Sequence, residues 1–271
     1  MAFKIGFATE YPEEKCTAIC NVPQPTAEAR KSVVQVYFAG RGMTLAYYND
    51  RFDLHPGDKV YVDGKLEGML GRVMEVNYNF KIKLSDYKRV IAVPDTSVSG
   101  QLYIAGSHFV TFDRTVLPRG KVAAWFNAPT TDDDEFVSAC DGSSFLLGDF
   151  DGLNISEEIA ERGHNYYLQN RVKYICIDGT AGYAIVEGGE NYEVEFEYRD
   201  GEIANLVCSC FCSYNCKHEF AAMLQLDETL RLIEQHYADE YEFGDYFAVM
   251  NKATLFNYAV DGKETGSVVF S

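Results

Sequence analysis

Tyr192-Glu193-Val194-Glu195-Phe196-Glu197-Tyr198 alternates large apolar and acidic side chains without a break. A period of two puts Tyr192, Val194, Phe196 and Tyr198 on one face and three glutamates on the other, the pattern of a half-buried strand with a wet acidic face. Arg199-Asp200-Gly201-Glu202 supplies turn residues and reads as a hairpin into a partner strand, Ile203–Val207. Upstream, Val172–Ile177 and Tyr183–Val186 are two further strands, joined by Asp178-Gly179-Thr180-Ala181-Gly182. Ser156, followed by Glu157 and Glu158, is a helix N-cap with its acids in the positive first turn. The order is therefore helix, then strands, with the last strand running into Cys208.

At that point the thiols crowd. Cys208, Cys210, Cys212 and Cys216 fall within nine residues and His218 follows, whereas Cys16, Cys20, Cys140 and Cys176 are scattered. The first ten residues lack the pattern of a signal peptide, and no apolar run approaches the ~20 residues of a membrane span. A cytoplasmic chain without membrane contact is the expectation, and in that compartment clustered cysteines indicate a metal before disulfides. A structural zinc site takes four thiolate or imidazole ligands. A C-x-C pair leaving a strand and a C-x-H pair entering a helix, five residues apart, can aim four such donors at one centre. Cys208, Cys210, Cys216 and His218 are the preferred set. Cys212 is the alternate ligand, because Cys210, Cys212, Cys216 and His218 also read C-x-C…C-x-H. Beyond His218, Phe220, Met223, Leu224, Leu226, Leu230, Ile233 and Tyr237 recur at helical spacing, with Asp227 as a point of division into two helices.

These residues resemble the SWIM zinc finger, in which C-x-C…C-x-H follows a β-hairpin and opens a helix. The likeness extends through Arg162-Gly163-His164-Asn165-Tyr166-Tyr167, Asn170-Arg171-Val172, Val186-Glu187-Gly188, Tyr192-Glu193-Val194 and Cys216-Lys217-His218-Glu219-Phe220-Ala221-Ala222, over roughly 154–226. It implies one bound zinc and partners that are nucleic acid or protein.

The rest of the chain is β-rich at its start. Val33–Phe38, Leu45–Tyr48, Lys59–Val62, Gly71–Val76 and Lys88–Val93 are short apolar runs divided by turns such as His55-Pro56-Gly57-Asp58, which suggests a small barrel. Thr44-Leu45-Ala46-Tyr47-Tyr48, Pro56-Gly57-Asp58-Lys59-Val60-Tyr61-Val62 and Gly71-Arg72-Val73 resemble the N-terminal DNA 3′-end-binding domain of the primosomal replication-restart helicase. That resemblance implies a nucleic-acid role for Arg41, Tyr47, Tyr48, Arg51, Arg72, Lys81 and Lys83, since cations interleaved with aromatics suit a single strand. Residues 30–100 carry eleven basic and eight acidic side chains, and residues 101–271 carry eleven and twenty-nine, within a chain of net charge −17. Such a balance excludes a uniformly basic nucleic-acid coat. Leu102–Ile104, His108–Phe112 and Val122–Phe126 make 101–150 look β-rich, interrupted by the acidic run Asp132-Asp133-Asp134-Glu135.

The expected fold is α+β: an N-terminal segment (1–31), a small β-barrel-like domain (32–100), a β-containing middle segment (101–153), a zinc module (154–226) and a C-terminal helix and tail (227–271). No nucleophile elbow, H-E-x-x-H or complete phosphate-binding loop occurs. The expected function is that of a non-enzymatic zinc-binding adaptor for nucleic acid or protein, with a purely protein-binding module as the alternative.

Overall fold

The computed structural model describes residues 30–129, 142–212, 215–241 and 244–264, so Cys16, Cys20, Cys140, the acidic run at 132–135 and the apolar end at 268–270 lie outside the described residues. The described residues form a mixed α+β structure with two antiparallel sheets and five α-helices.

Five short strands make the first sheet: β1 (Ser32–Phe38), β2 (Met43–Asn49), β3 (Lys59–Val62), β4 (Gly71–Asn77) and β5 (Val90–Ala92), in the order β2-β1-β4-β3-β5. Alternate residues turn inward, and Val34, Val36, Phe38, Tyr47, Val60, Val62, Val73 and Val90 enclose Leu54. The expected barrel does not close. The two ends of the sheet meet only at a single bridge between Tyr48 and Arg89, where the Tyr48 N–H donates to the Lys88 carbonyl at 2.8 Å. β5 has three residues and already pairs with β3, too few for a second ladder along the seven-residue β2.

The second sheet has eight strands: β6 (Tyr103–Ala105), β7 (His108–Thr111), β8 (Ser144–Leu146), β9 (Val172–Asp178), β10 (Ala181–Glu187), β11 (Asn191–Arg199), β12 (Glu202–Cys208) and β13 (Tyr246–Asn251). Their order is β6-β7-β13-β9-β10-β11-β12-β8. Segments 101–153, 154–226 and 227–271 thus all contribute strands to one sheet. The β11–β12 hairpin turns on Asp200 and Gly201, at φ 51° and 87°, the two positive angles of a type I′ turn.

Helices α1 (Arg119–Phe126), α2 (Glu157–Leu168), α3 (Lys217–His236), α4 (Ala238–Tyr241) and α5 (Lys252–Ala259) cover this sheet. Phe220, Met223, Leu226 and Ile233 of α3 pack on Ile175, Ile177, Val186, Val194 and Phe196. On the opposite face Trp125 and Phe126 of α1 and Leu255 and Ala259 of α5 pack on Tyr174, Cys176, Tyr183, Ile185 and Met250. Because both faces are covered, all six residues of β13 are buried.

Three expectations are corrected here. Val122–Phe126 is helical, not a strand: Val122, Trp125 and Phe126 are buried at the i, i+3, i+4 spacing of one helix face. Asp227 does not divide α3; its carboxylate pairs with Arg231 one turn on, at 2.6 Å, and the helix runs through. The glutamate face of β11 is only partly wet. α1 lies over it, with Asn127 donating to Glu193 at 2.5 Å and Arg119 paired to Glu195, and of the three Glu197 is the most open, accepting from Asn205 at 2.9 Å.

Candidate metal centre

β12 ends at Cys208 and α3 begins at Lys217, with Cys216 as its N-cap. The strand end and the helix start are adjacent in space because β11, β12 and α3 pack together on one core. The side-chain donor atoms of Cys208, Cys210, Cys216 and His218 all lie within 4.8 Å of one another. His218 Nδ1 is 3.7 Å from the Cys208 sulfur and 3.6 Å from the Cys216 sulfur. A tetrahedral ion with bonds of about 2.3 Å to sulfur and about 2.05 Å to nitrogen holds those atoms about 3.6 Å apart. The cluster therefore has the spacing and the donor set of a site that could hold a metal ion. Cys212 stands outside it, with its side chain exposed.

The surroundings fix the ligands. The Cys216 N–H donates to the Glu219 carboxylate at 2.6 Å, the reciprocal arm of a capping box that locks the first turn of α3. The Tyr192 ring stacks on the His218 imidazole at 4.2 Å between centroids, and Tyr166 meets it edge-on at 5.5 Å. His218 Nε2 is buried with no hydrogen-bond partner among the described residues, leaving Nδ1 to face the sulfurs. Gly188 is required beside it: a Cβ there would sit 2.7 Å from the Tyr192 ring and 3.1 Å from His218 Nε2.

Without a cation Cys210, Cys216 and His218 stay neutral. Burial pushes the Cys210 thiol up to about 12, against a backbone hydrogen bond at Cys212 that lowers it and with the nearby Cys216 sulfur adding to the rise. The Cys208 contact, then burial, holds Cys216 well above the usual thiol range. Burial, then the charges of Lys217 and Arg162, lowers His218 to about 4. A bound cation would favour the thiolate forms of Cys210 and Cys216 by offsetting the repulsion between sulfurs packed this closely.

Glu219, Tyr166 and the packing role of Tyr192 are the parts that reading for ligands passes over. The Cys216-x-x-Glu219 spacing was the available signal, since it is the capping-box spacing with cysteine as the cap.

The residues expected to contact nucleic acid differ in their exposure. Tyr47 and Tyr48, at 4% and 5% exposure, are buried and present no ring to a base, which corrects their expected stacking role. Tyr47 packs edge-on against Phe38, while Tyr48 is covered by Phe80 and by the Arg89 guanidinium. Arg72 is committed to Asp261 at 2.5 Å. Arg41, Arg51, Lys81 and Lys83 are exposed.

No family model matches this chain, and no solved structure does. A 69-residue stretch is 33% identical to the uncharacterized protein MJ1493 of Methanocaldococcus jannaschii; it covers 26% of this chain and 29% of that protein. No helix among the described residues is long and apolar enough to cross a membrane.

Proposed function

We propose that Cys208, Cys210, Cys216 and His218 bind one structural zinc, that residues 154–226 are a SWIM-type module, and that the chain is a non-enzymatic, protein-binding adaptor. The convergence of three sulfurs and Nδ1 of His218 within 4.8 Å carries this reading. Three thiolates and an imidazole form a Cys₃His set of the kind structural zinc favours. Four protein ligands complete a tetrahedron and leave no position for a reacting water, so the reading is non-catalytic. The helix, hairpin and second helix stand in the order that the SWIM resemblance implies.

A protein partner is favoured over nucleic acid by the burial of Tyr47 and Tyr48, the pairing of Arg72 and the net charge of −17. Exposed Arg41, Arg51, Lys81 and Lys83 support nucleic-acid binding by the first sheet as the second reading. Metal analysis of protein never exposed to chelator tests the first claim: one zinc per chain supports it, and none or two refutes it. Affinity capture with and without nuclease tests the partner class. Partners lost on nuclease treatment would favour the second reading.

A further inference from the structure

A cleft of about 440 Å³ opens onto the metal cluster between the first two turns of α2 and the loop that carries the donors, and Cys210, Cys212, Cys216 and His218 form part of its wall. Ile159 and Arg162 of α2 line one side; Phe211, Asn215 and Lys217 line the other, with Tyr192 at its base. None of the lining residues is acidic, in a chain with 41 acidic side chains. Arg162 is exposed, Lys217 lies over the face of the Tyr166 ring at 4.8 Å from its centroid, and neither makes an ion pair with any described residue. Phe211 is fully exposed, at 103% of the reference area. It sits between Cys210 and Cys216, so bound metal would tie its loop at both ends. An aromatic held outward on a tethered loop loses little conformational freedom on binding, the property of an interface anchor.

We infer that this cleft is a docking site for an acidic peptide of a partner protein, in which a carboxylate enters between Arg162 and Lys217 while a neighbouring large apolar side chain packs on Ile159 and Phe211. The inference rests on the zinc-adaptor reading and names its partner chemistry. Charge complementarity selects an anionic ligand, and the neighbourhood selects a short one. Glu157, Glu158 and Glu161 are exposed on the same helix, so a polyphosphate strand would meet more of this like charge than a single Asp or Glu does.

Selection of randomised 12-residue peptides on the full zinc-loaded chain tests this. The expected sequences pair Asp or Glu with an adjacent Phe, Leu, Ile or Trp. Their binding falls at least tenfold in Arg162→Glu, in Lys217→Glu and in Phe211→Ala, each retaining its zinc and its helical circular dichroism. Basic peptides, no enriched peptides, or acidic peptides indifferent to all three substitutions would overturn the proposal. So would a single-stranded oligonucleotide that displaces the selected peptide at lower concentration than the unlabelled peptide does. Failure of the underlying zinc reading appears separately, as absence of metal from the wild-type chain before any peptide is added.

Discussion

Gly163 sits where α2 crosses α3, and replacing it with alanine sets two effects of opposite sign against each other. In an isolated helix Gly163→Ala would stabilise by about 0.5–1 kcal/mol, because glycine gives up more backbone freedom on folding. Here the added Cβ would lie 2.7 Å from Cδ1 and 2.9 Å from Cβ of Phe220, and 3.0 Å from the Lys217 carbonyl oxygen. Comfortable contacts are about 3.5–4.0 Å, so the helices must part by roughly half an ångström or more. Two of the three opposing atoms are tied to the α3 backbone and cannot swing aside. Overpacking of this kind costs about 1–3 kcal/mol, with the upper half expected for rigid neighbours, so the net effect is a loss of about 1–2 kcal/mol.

The melting temperature should fall by about 2–8 °C, at about 2–4 °C per kcal/mol for a chain of this size. Gly120→Ala in α1 is the control: its Cβ would meet nothing within 4 Å, and it should raise the melting temperature by about 1–4 °C. Thermal unfolding followed by circular dichroism reads both. Since Cys216 and His218 lie on the displaced first turn, and that turn can relax only when the metal is absent, zinc affinity in Gly163→Ala should also fall about tenfold, the equivalent of ~1.4 kcal/mol. Chelator competition measures that. A Gly163→Ala variant as stabilised as Gly120→Ala, with unchanged zinc affinity, would refute the tight α2–α3 crossing and its link to the ligands.

The ligand assignment predicts that Cys208→Ser, Cys210→Ser, Cys216→Ser and His218→Ala each lose the metal while Cys212→Ser keeps it; retention by Cys208→Ser with loss by Cys212→Ser would reverse the set. Metal affinity should fall as pH falls, because Cys210 and Cys216 hold their protons through neutral pH and must release them; each contributes about tenfold per pH unit. His218, lowered to about 4, adds no dependence above about pH 5, so indicator titrations between pH 6 and 8 should give at least a hundredfold change per unit, and a shallower slope contradicts the protonated thiols. Chelation should expose amides around 208–219 to hydrogen exchange while leaving β1–β5 protected. The fluorescence of Trp125, the single tryptophan, buried on the far face of the second sheet, should not change on chelation, and a shift in its emission would show that the metal holds both faces.

What the sequence disclosed depended on how local each signal was. The β11–β12 hairpin was legible because its alternation, its Asp200-Gly201 turn and its pairing all lie within eighteen residues. β13 offers no such local signal, because a strand covered on both faces shows no alternation, and its partners β7 and β9 are far away in sequence. The same loss of contrast made α1 look like a strand, since its partly covered residues blur the helical period. Tyr47 and Tyr48 misled for a different reason: interleaved aromatics and cations suit a single-strand surface, but Tyr47 fills the core of the five-stranded sheet and Tyr48 is covered by Phe80 and Arg89. The donor set was legible because metal ligands must recur at short spacing on a turning chain. The cleft beside it was not, because α2 and the ligand loop meet only through the α2–α3 packing.

The position of the cluster also decides what metal would and would not do. The two cores on either face of the eight-stranded sheet contain Trp125, Tyr174, Phe196, Phe220 and Phe247, and of the four donors Cys208 alone packs against them, from the rim. Cys208 is the last residue of an edge-proximal strand, and Cys216 and His218 occupy one helix end. An ion there fixes a boundary rather than a core. Binding in small zinc domains is worth roughly 10–16 kcal/mol because the whole fold depends on it; here most of the chain has apolar burial of its own, so the energy is directed at the segment from 208 to 218. That segment carries Phe211 and Lys217, and across the cleft stands Arg162. A bound metal would then hold the described residues around Cys210, Phe211 and Lys217 as a fixed surface. Removing the ion should abolish peptide capture at concentrations where the sheet remains folded. Capture that survives complete chelation would show that the cleft is built by α2 and α3 alone, and that the metal serves some purpose other than presenting it.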